Sequence, residues 1–120
     1  MKESGSILDV KSRDQLPPVA IGFDVTKKLL AEMPSGSKLK DLILQRRNVG
    51  IQRYGQSLYS KDGRVGLRDA LDEMGDLAVY VEKVFGLQAE EAVTVPQLRE
   101  FVQLWEELKR FVDERVRLQQ

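Results

Sequence analysis

The sequence predicts an all-α fold, a bundle of four to five helices, and three observations carry that expectation. Apolar residues recur at steps of three and four over long stretches, while strand-like alternation is nearly absent. Asp24, Ser37 and Thr94 stand where such stretches begin, and each is a residue type that caps a helix N-terminus. Pro34-Ser35-Gly36, Gly55 and Asp62-Gly63 fall between them as breaks.

The 120 residues suit one soluble domain with a modest core. The 19 basic and 19 acidic residues cancel, so nothing draws the whole chain toward nucleic acid or membrane. Neither partner is expected. Cysteine and histidine are both absent, which excludes disulfides, thiolate or imidazole metal sites, Cys nucleophiles and Ser-His-Asp triads. A bound metal must therefore have oxygen ligands, which favours Mg²⁺, with Mn²⁺ as the alternative. There is no signal peptide and no long apolar run, so the cytoplasm is the expected location.

Residues 1–19 carry Gly5, Pro17 and Pro18 without a helical period and read as a flexible arm, with Ile7, Leu8 and Val10 able to dock on a neighbour. Residues 20–120 form the single domain. Asp24 caps a short helix over 25–33, with Leu29 and Leu30 inward. Ser37 caps a second helix over 38–54, whose inner stripe runs through Leu39, Leu42, Ile43, Arg46 or Arg47, and Gly50, apolar at first and weak later, and Gly55 ends it. Residues 56–62 are a loop, and 87–93 have no clear pattern. Thr94 caps a long last helix with Pro96 in its first turn. There Leu98, Phe101, Val102, Trp105, Leu108, Phe111 or Val112, and Val116 lie on one side with a period near seven, which suits packing in a bundle or against a second copy. Trp105 reads as a core or interface anchor rather than a base-stacking residue.

The chemistry concentrates in the third long stretch, 63–85. Leu67, Leu71, Met74, Leu77, Ala78, Val81 and Phe85 make its apolar stripe. Asp69, Asp72, Glu73 and Asp76 follow at i, i+3, i+4 and i+7 and fall on one line nearly opposite. Like charges so spaced oppose each other by roughly 0.2–0.5 kcal/mol per pair. Either this is an acidic solvated face or it is a site where carboxylates converge on a hard cation. On the preceding helix Asp41, Gln45, Asn48 and Gln52 also share a line. If the two lines face each other, Asp41 joins the four acids of the next helix around a metal. Arg46, Arg47, Arg53, Lys61, Arg64 and Arg68 lie on or between these helices and suit a phosphate-bearing ligand.

The segment 46–84 resembles the MazG-like all-α nucleoside triphosphate pyrophosphohydrolases, most of all the small phage and mobile-element type. The resemblance rests on Arg47, Gly50, Arg53, Tyr54, Gly55, Leu58, Asp62, Gly63, Arg64, Asp69, Ala70, Glu73, Asp76, Leu77 and Tyr80 in that order and spacing, and covers about residues 39–85. It implies Mg²⁺-dependent cleavage of a (deoxy)nucleoside triphosphate to monophosphate and pyrophosphate, by a homodimer or homotetramer. It implies a metal held by an E-x-x-E motif on one helix and an E-x-x-D motif on the next. The second is present as Glu73-Met74-Gly75-Asp76, and these two acids are the expected catalytic pair. At the first, the chain has Gln45-Arg46-Arg47-Asn48, amides that carry no charge and cannot act as a base. Metal ligands are then expected among Glu73, Asp76, Asp72, Asp69 and Asp41. Arg53, Lys61, Arg64, Gln45, Asn48 and Tyr80 are expected to contact the nucleotide. The alternatives are a weakened relative that binds a nucleotide or a protein without turnover, and a plain helical interaction module.

Overall fold

A computed structural model describes residues 6–10 and 17–120. Among them the fold is all-α, with four helices and no strand. The order is α1 (Val25–Glu32), α2 (Lys38–Tyr54), α3 (Gly66–Phe85) and α4 (Val95–Leu118), preceded by a single 3₁₀ turn at Ile7–Asp9. No helix among these residues is long and apolar enough to cross a membrane.

The caps form as the sequence predicts. The Asp24 carboxylate accepts from the Lys27 amide, and the Ser37 hydroxyl accepts from the Lys40 amide. Thr94 and Gln97 make a reciprocal capping box, which satisfies two of the free donors at the start of α4. The end of α1 moves by one residue, to Glu32, and the larger shift is at the start of α3, at Gly66 rather than Gly63. The cause is local. Asp62 Oδ1 accepts from the Arg64 amide at 3.0 Å, and Gly63 takes φ +83°, so a turn occupies the first three residues of the expected helix. Val65, the residue before α3, offers no side-chain cap.

The expected loop 56–62 is not independent. It runs antiparallel to residues 19–25 as an irregular ribbon. The amides of Val25, Ser60, Lys61 and Val19 donate to the carbonyls of Leu58, Phe23, Ile21 and Asp62 at 2.8–3.1 Å. Gly22 is obligatory in this ribbon: its φ is +93°, and a Cβ there would collide with Ser60 Oγ. The described parts of the arm are tied down too. Pro18 O accepts from the Gln56 side chain and Val10 O from Arg68. Residues 1–5 and 11–16 of the expected arm lie outside the described residues.

Helix α2 is the hub, packed against α1 on one side and α4 on the other. Leu39, in its first turn, is the sole buried hydrophobic side chain among the described residues. Its amide donates to Glu107 of α4 at 2.8 Å, so a carboxylate from one helix closes the N-terminus of another. Helix α3 meets α4 near its C-terminal end, where the Phe85 and Phe101 rings lie 5.1 Å apart in a tilted pair. The chain is open for its size. Its radius of gyration is 16.6 Å, against roughly 13.6 Å for a compact domain of this length.

Candidate functional site

The strongest polar structure lies where α1, α2 and the ribbon meet. Asp24 Oδ2 accepts from Arg47 Nη2 at 2.9 Å, and Oδ1 accepts from Ser57 Oγ at 2.9 Å and Thr26 Oγ1 at 3.1 Å. Arg47 Nε donates to Thr26 Oγ1 at 3.1 Å, and the Thr26 and Ser57 hydroxyls lie 2.7 Å apart. Burial pushes the Asp24 carboxyl up. The Lys27 amide, the Arg47 guanidinium and the two hydroxyls outweigh it and hold Asp24 well below the usual carboxylate range. Arg47 and Asp24 retain only 24% and 16% of their side-chain exposure, so the pair is largely desolvated. Arg47 is therefore committed to holding α1 on α2.

Beside this knot lies an apolar pocket of about 440 Å³. Leu42, Ile43, Gly50 and Tyr54 of α2 and Leu58 line it, together with the charged Arg46 and Arg64. A mainly apolar cavity with a few convergent polar groups is what small-molecule sites generally present. Tyr54 is exposed, and the Arg53 guanidinium lies 6.0 Å from its ring centre.

The four acids of α3 divide in two. Asp69 accepts from Arg64 Nε and Nη2 at 3.1 and 2.9 Å, a two-pronged pair. That hydrogen bonding to Asp69 raises the Arg64 pKa further. Asp72 is paired with Arg68 one turn back, at 2.9 Å. Glu73 and Asp76 form no ion pair among the described residues and face solvent. The like-charge line of the sequence is thus half neutralised by the two arginines that flank the start of α3.

The second polar line does not join the first within one chain. Asp41, Gln45, Asn48 and Gln52 are exposed on α2, whose packed neighbours are α1 and α4 rather than α3. Among the described residues no three carboxylates come together as a metal-holding group. Lys61 is exposed, with its backbone amide engaged by Ile21, and Tyr80 is exposed on α3. The expected residues that the structure does join are Arg64 with Asp69. Arg46, expected among the phosphate-suited basic residues, lines the pocket; the pocket residues Leu42 and Ile43, and the Asp24–Thr26–Ser57 cluster, were not expected as a site. Asp24 was legible as a cap, but its partners Arg47 and Ser57 lie 23 and 33 residues away, beyond any local pattern.

The donor set fits one kind of cation and not another. Magnesium commonly uses one or two carboxylates and takes its remaining ligands from phosphates and water. Glu73 and Asp76 are two such carboxylates, without a competing cation among the described residues. A cage built from protein ligands alone is not assembled among the described residues of one chain. No protein-family model matches the chain, and no curated protein or solved structure is significantly similar to it.

Proposed function

We propose that the protein binds a magnesium nucleotide and hydrolyses a (deoxy)nucleoside triphosphate to monophosphate and pyrophosphate. The observation that carries this reading is the division of the acidic line. Arg64 and Arg68 neutralise Asp69 and Asp72, and the E-x-x-D acids Glu73 and Asp76 have no ion-pair partner among the described residues. Two adjacent unpaired carboxylates on one helix carry a repulsion that a cation removes.

In this reading Glu73 and Asp76 hold the ion, and when bound it offsets negative charge on the phosphate oxygens. One of the two carboxylates orients water and accepts its proton as the oxygen attacks phosphorus. Arg53 and Lys61, both exposed, and the pocket-lining Arg64 suit pairing with phosphate oxygens. Tyr54 and the other apolar lining of the 440 Å³ pocket suit a planar base. Gln45 and Asn48 contribute amide contacts but no charge.

A second reading is nucleotide binding without turnover. It is favoured by one observation, that α2 packs on α1 and α4, leaving Asp41 away from Glu73 and Asp76 within a chain. Pyrophosphate release from a panel of nucleotides with Mg²⁺ or Mn²⁺ separates the two. Release by the wild type, abolished in both Glu73→Gln and Asp76→Asn, is the expected result. Metal-dependent thermal stabilisation by a nucleotide with no release establishes the second reading. Absence of both leaves a helical interaction module and removes the nucleotide from the account.

A further inference from the structure

We propose, resting on the nucleotide reading above, that Arg64 is an exchange residue. It holds Asp69 in the free protein and passes its guanidinium to the phosphates when a nucleotide binds, so that Asp69 is released toward the cation. The site is then completed by its own ligand, and nucleotide and metal bind with positive coupling.

Position carries this. Among the described residues, Arg64 is the one that both lines the 440 Å³ pocket and pairs with an acid of α3. A nucleotide with its base in that pocket and its phosphates toward Glu73 and Asp76 therefore meets the Arg64 guanidinium between the two. Asp69 precedes Glu73 by about one turn and Asp76 by about two, roughly 6 and 10.5 Å along the axis, on the same line of α3. The turn ahead of α3 fixes the backbone of Arg64, whose amide donates to Asp62 Oδ1 at 3.0 Å. Only its side chain has to move.

The exchange is also balanced in charge. A guanidinium fork fits a carboxylate and a phosphate alike, through two parallel N–H···O bonds in either case. The side chains of Arg64 and Asp69 keep 27% and 39% of their exposure, so water screens the pair and weakens its hold. Without a cation, release of Asp69 would leave its carboxylate on one line with those of Glu73 and Asp76, at spacings where like charges repel. With one, Asp69 and Glu73, neighbours at i and i+4, can share the ion or a water bound to it. Each ligand thus favours the other. Arg68 and Asp72 make no such exchange, because Arg68 does not line the pocket and also donates to the Val10 carbonyl.

The test is calorimetric titration of the full chain with a non-hydrolysable α,β-methylene deoxynucleoside triphosphate, each of the common bases in turn, with and without Mg²⁺, and with Mn²⁺ alone. Asp69→Asn should bind the metal-free nucleotide more tightly than the wild type, because Arg64 no longer has to leave a carboxylate. Its gain in affinity from Mg²⁺ should nevertheless be smaller by about fivefold or more. Arg64→Ala should bind Mn²⁺ alone more tightly and the nucleotide about tenfold less tightly. Asp72→Asn removes the same charge from the same line and should leave these affinities within about twofold, which separates exchange from general electrostatics. If the variants fail to fold, the carboxyl-carbon resonance of Asp69 in the wild type decides: it should shift on saturation with the Mg²⁺ nucleotide, and that of Asp72 should not. An Asp69 resonance that stays in place, or variants that lose every affinity together, overturns the exchange and leaves nucleotide binding standing. A wild type that binds none of the nucleotides overturns both the exchange and the reading beneath it.

Discussion

The two halves of the molecule satisfy their side chains in different ways. Where α1, α2 and the ribbon meet, each polar atom of Asp24, Thr26, Arg47 and Ser57 that is withdrawn from water finds a partner in the same chain. Along α3 and α4, large apolar side chains from Met74 to Val116 stay open. Directional contacts need fixed geometry, and the first half supplies it through a cap, a helix and a loop held in register. Apolar area needs only cover, and the second half obtains too little of it within one chain. The first half reads as intramolecular architecture and the second as a surface with work still to do. Three perturbations probe that contrast.

The largest effect is expected at the knot. Asp24→Ala removes the cap of α1, strips Thr26 and Ser57 of their acceptor, and leaves the Arg47 guanidinium half-buried without its carboxylate. A loss of about 2–4 kcal/mol follows for a desolvated pair broken from one side together with a lost cap. Urea unfolding measures it. Because the knot is internal to one chain, the loss should be the same at every protein concentration. A concentration-dependent loss would erase the distinction between the halves.

Acid adds a second, smaller probe of the same knot. The folded Asp24 carboxyl lies well below its ordinary value of 3.8. A depressed carboxyl contributes stability above the unfolded value and loses it as pH falls through the folded one. The gap in melting temperature between wild type and Asp24→Asn should therefore be full at neutral pH and narrow below about pH 4. A gap that stays constant with pH would mean that the Asp24 charge adds nothing beyond its hydrogen-bond geometry.

Helix positions were legible because their signals are local. Asp24, Ser37 and Thr94 announce caps within four residues, and Gly55 a stop, and these boundaries coincide with the folded ones. The start of α3 was misplaced because Asp62-Gly63 carries both a turn signal and the beginning of an apolar period, and the Asp62–Arg64 turn prevails. The ribbon between 19–25 and 58–62 was hidden, since its pairing is almost entirely backbone and leaves no alternation in the sequence. The acidic line on α3 was read correctly as a line but not as a divided one. Spacing shows which charges share a face. It does not show that Arg64, folded back by the turn, claims Asp69, or that Arg68 claims Asp72. Nor does a face-by-face reading of α2 reveal that its neighbours are α1 and α4.

The smallest expected effect concerns that divided line, and it bears on both halves. Arg68 joins the arm, through the Val10 carbonyl, to α3, through Asp72. Asp72 keeps more than half of its exposure, so water screens most of the attraction. Asp72→Asn should change stability by no more than about 0.5 kcal/mol. The informative readout is hydrogen exchange rather than the melting temperature. With the carboxylate gone, the Arg68 guanidinium has less to hold it in place, and the grip of the arm on α3 should loosen before anything unfolds. Faster exchange at the amides of Leu8, Asp9 and Val10, with the ribbon amides of Ser60 and Lys61 unchanged, is the expected pattern. If the ribbon amides speed up equally, Arg68 belongs to the internal architecture of the first half, and the boundary between the two halves runs through α3 rather than before it.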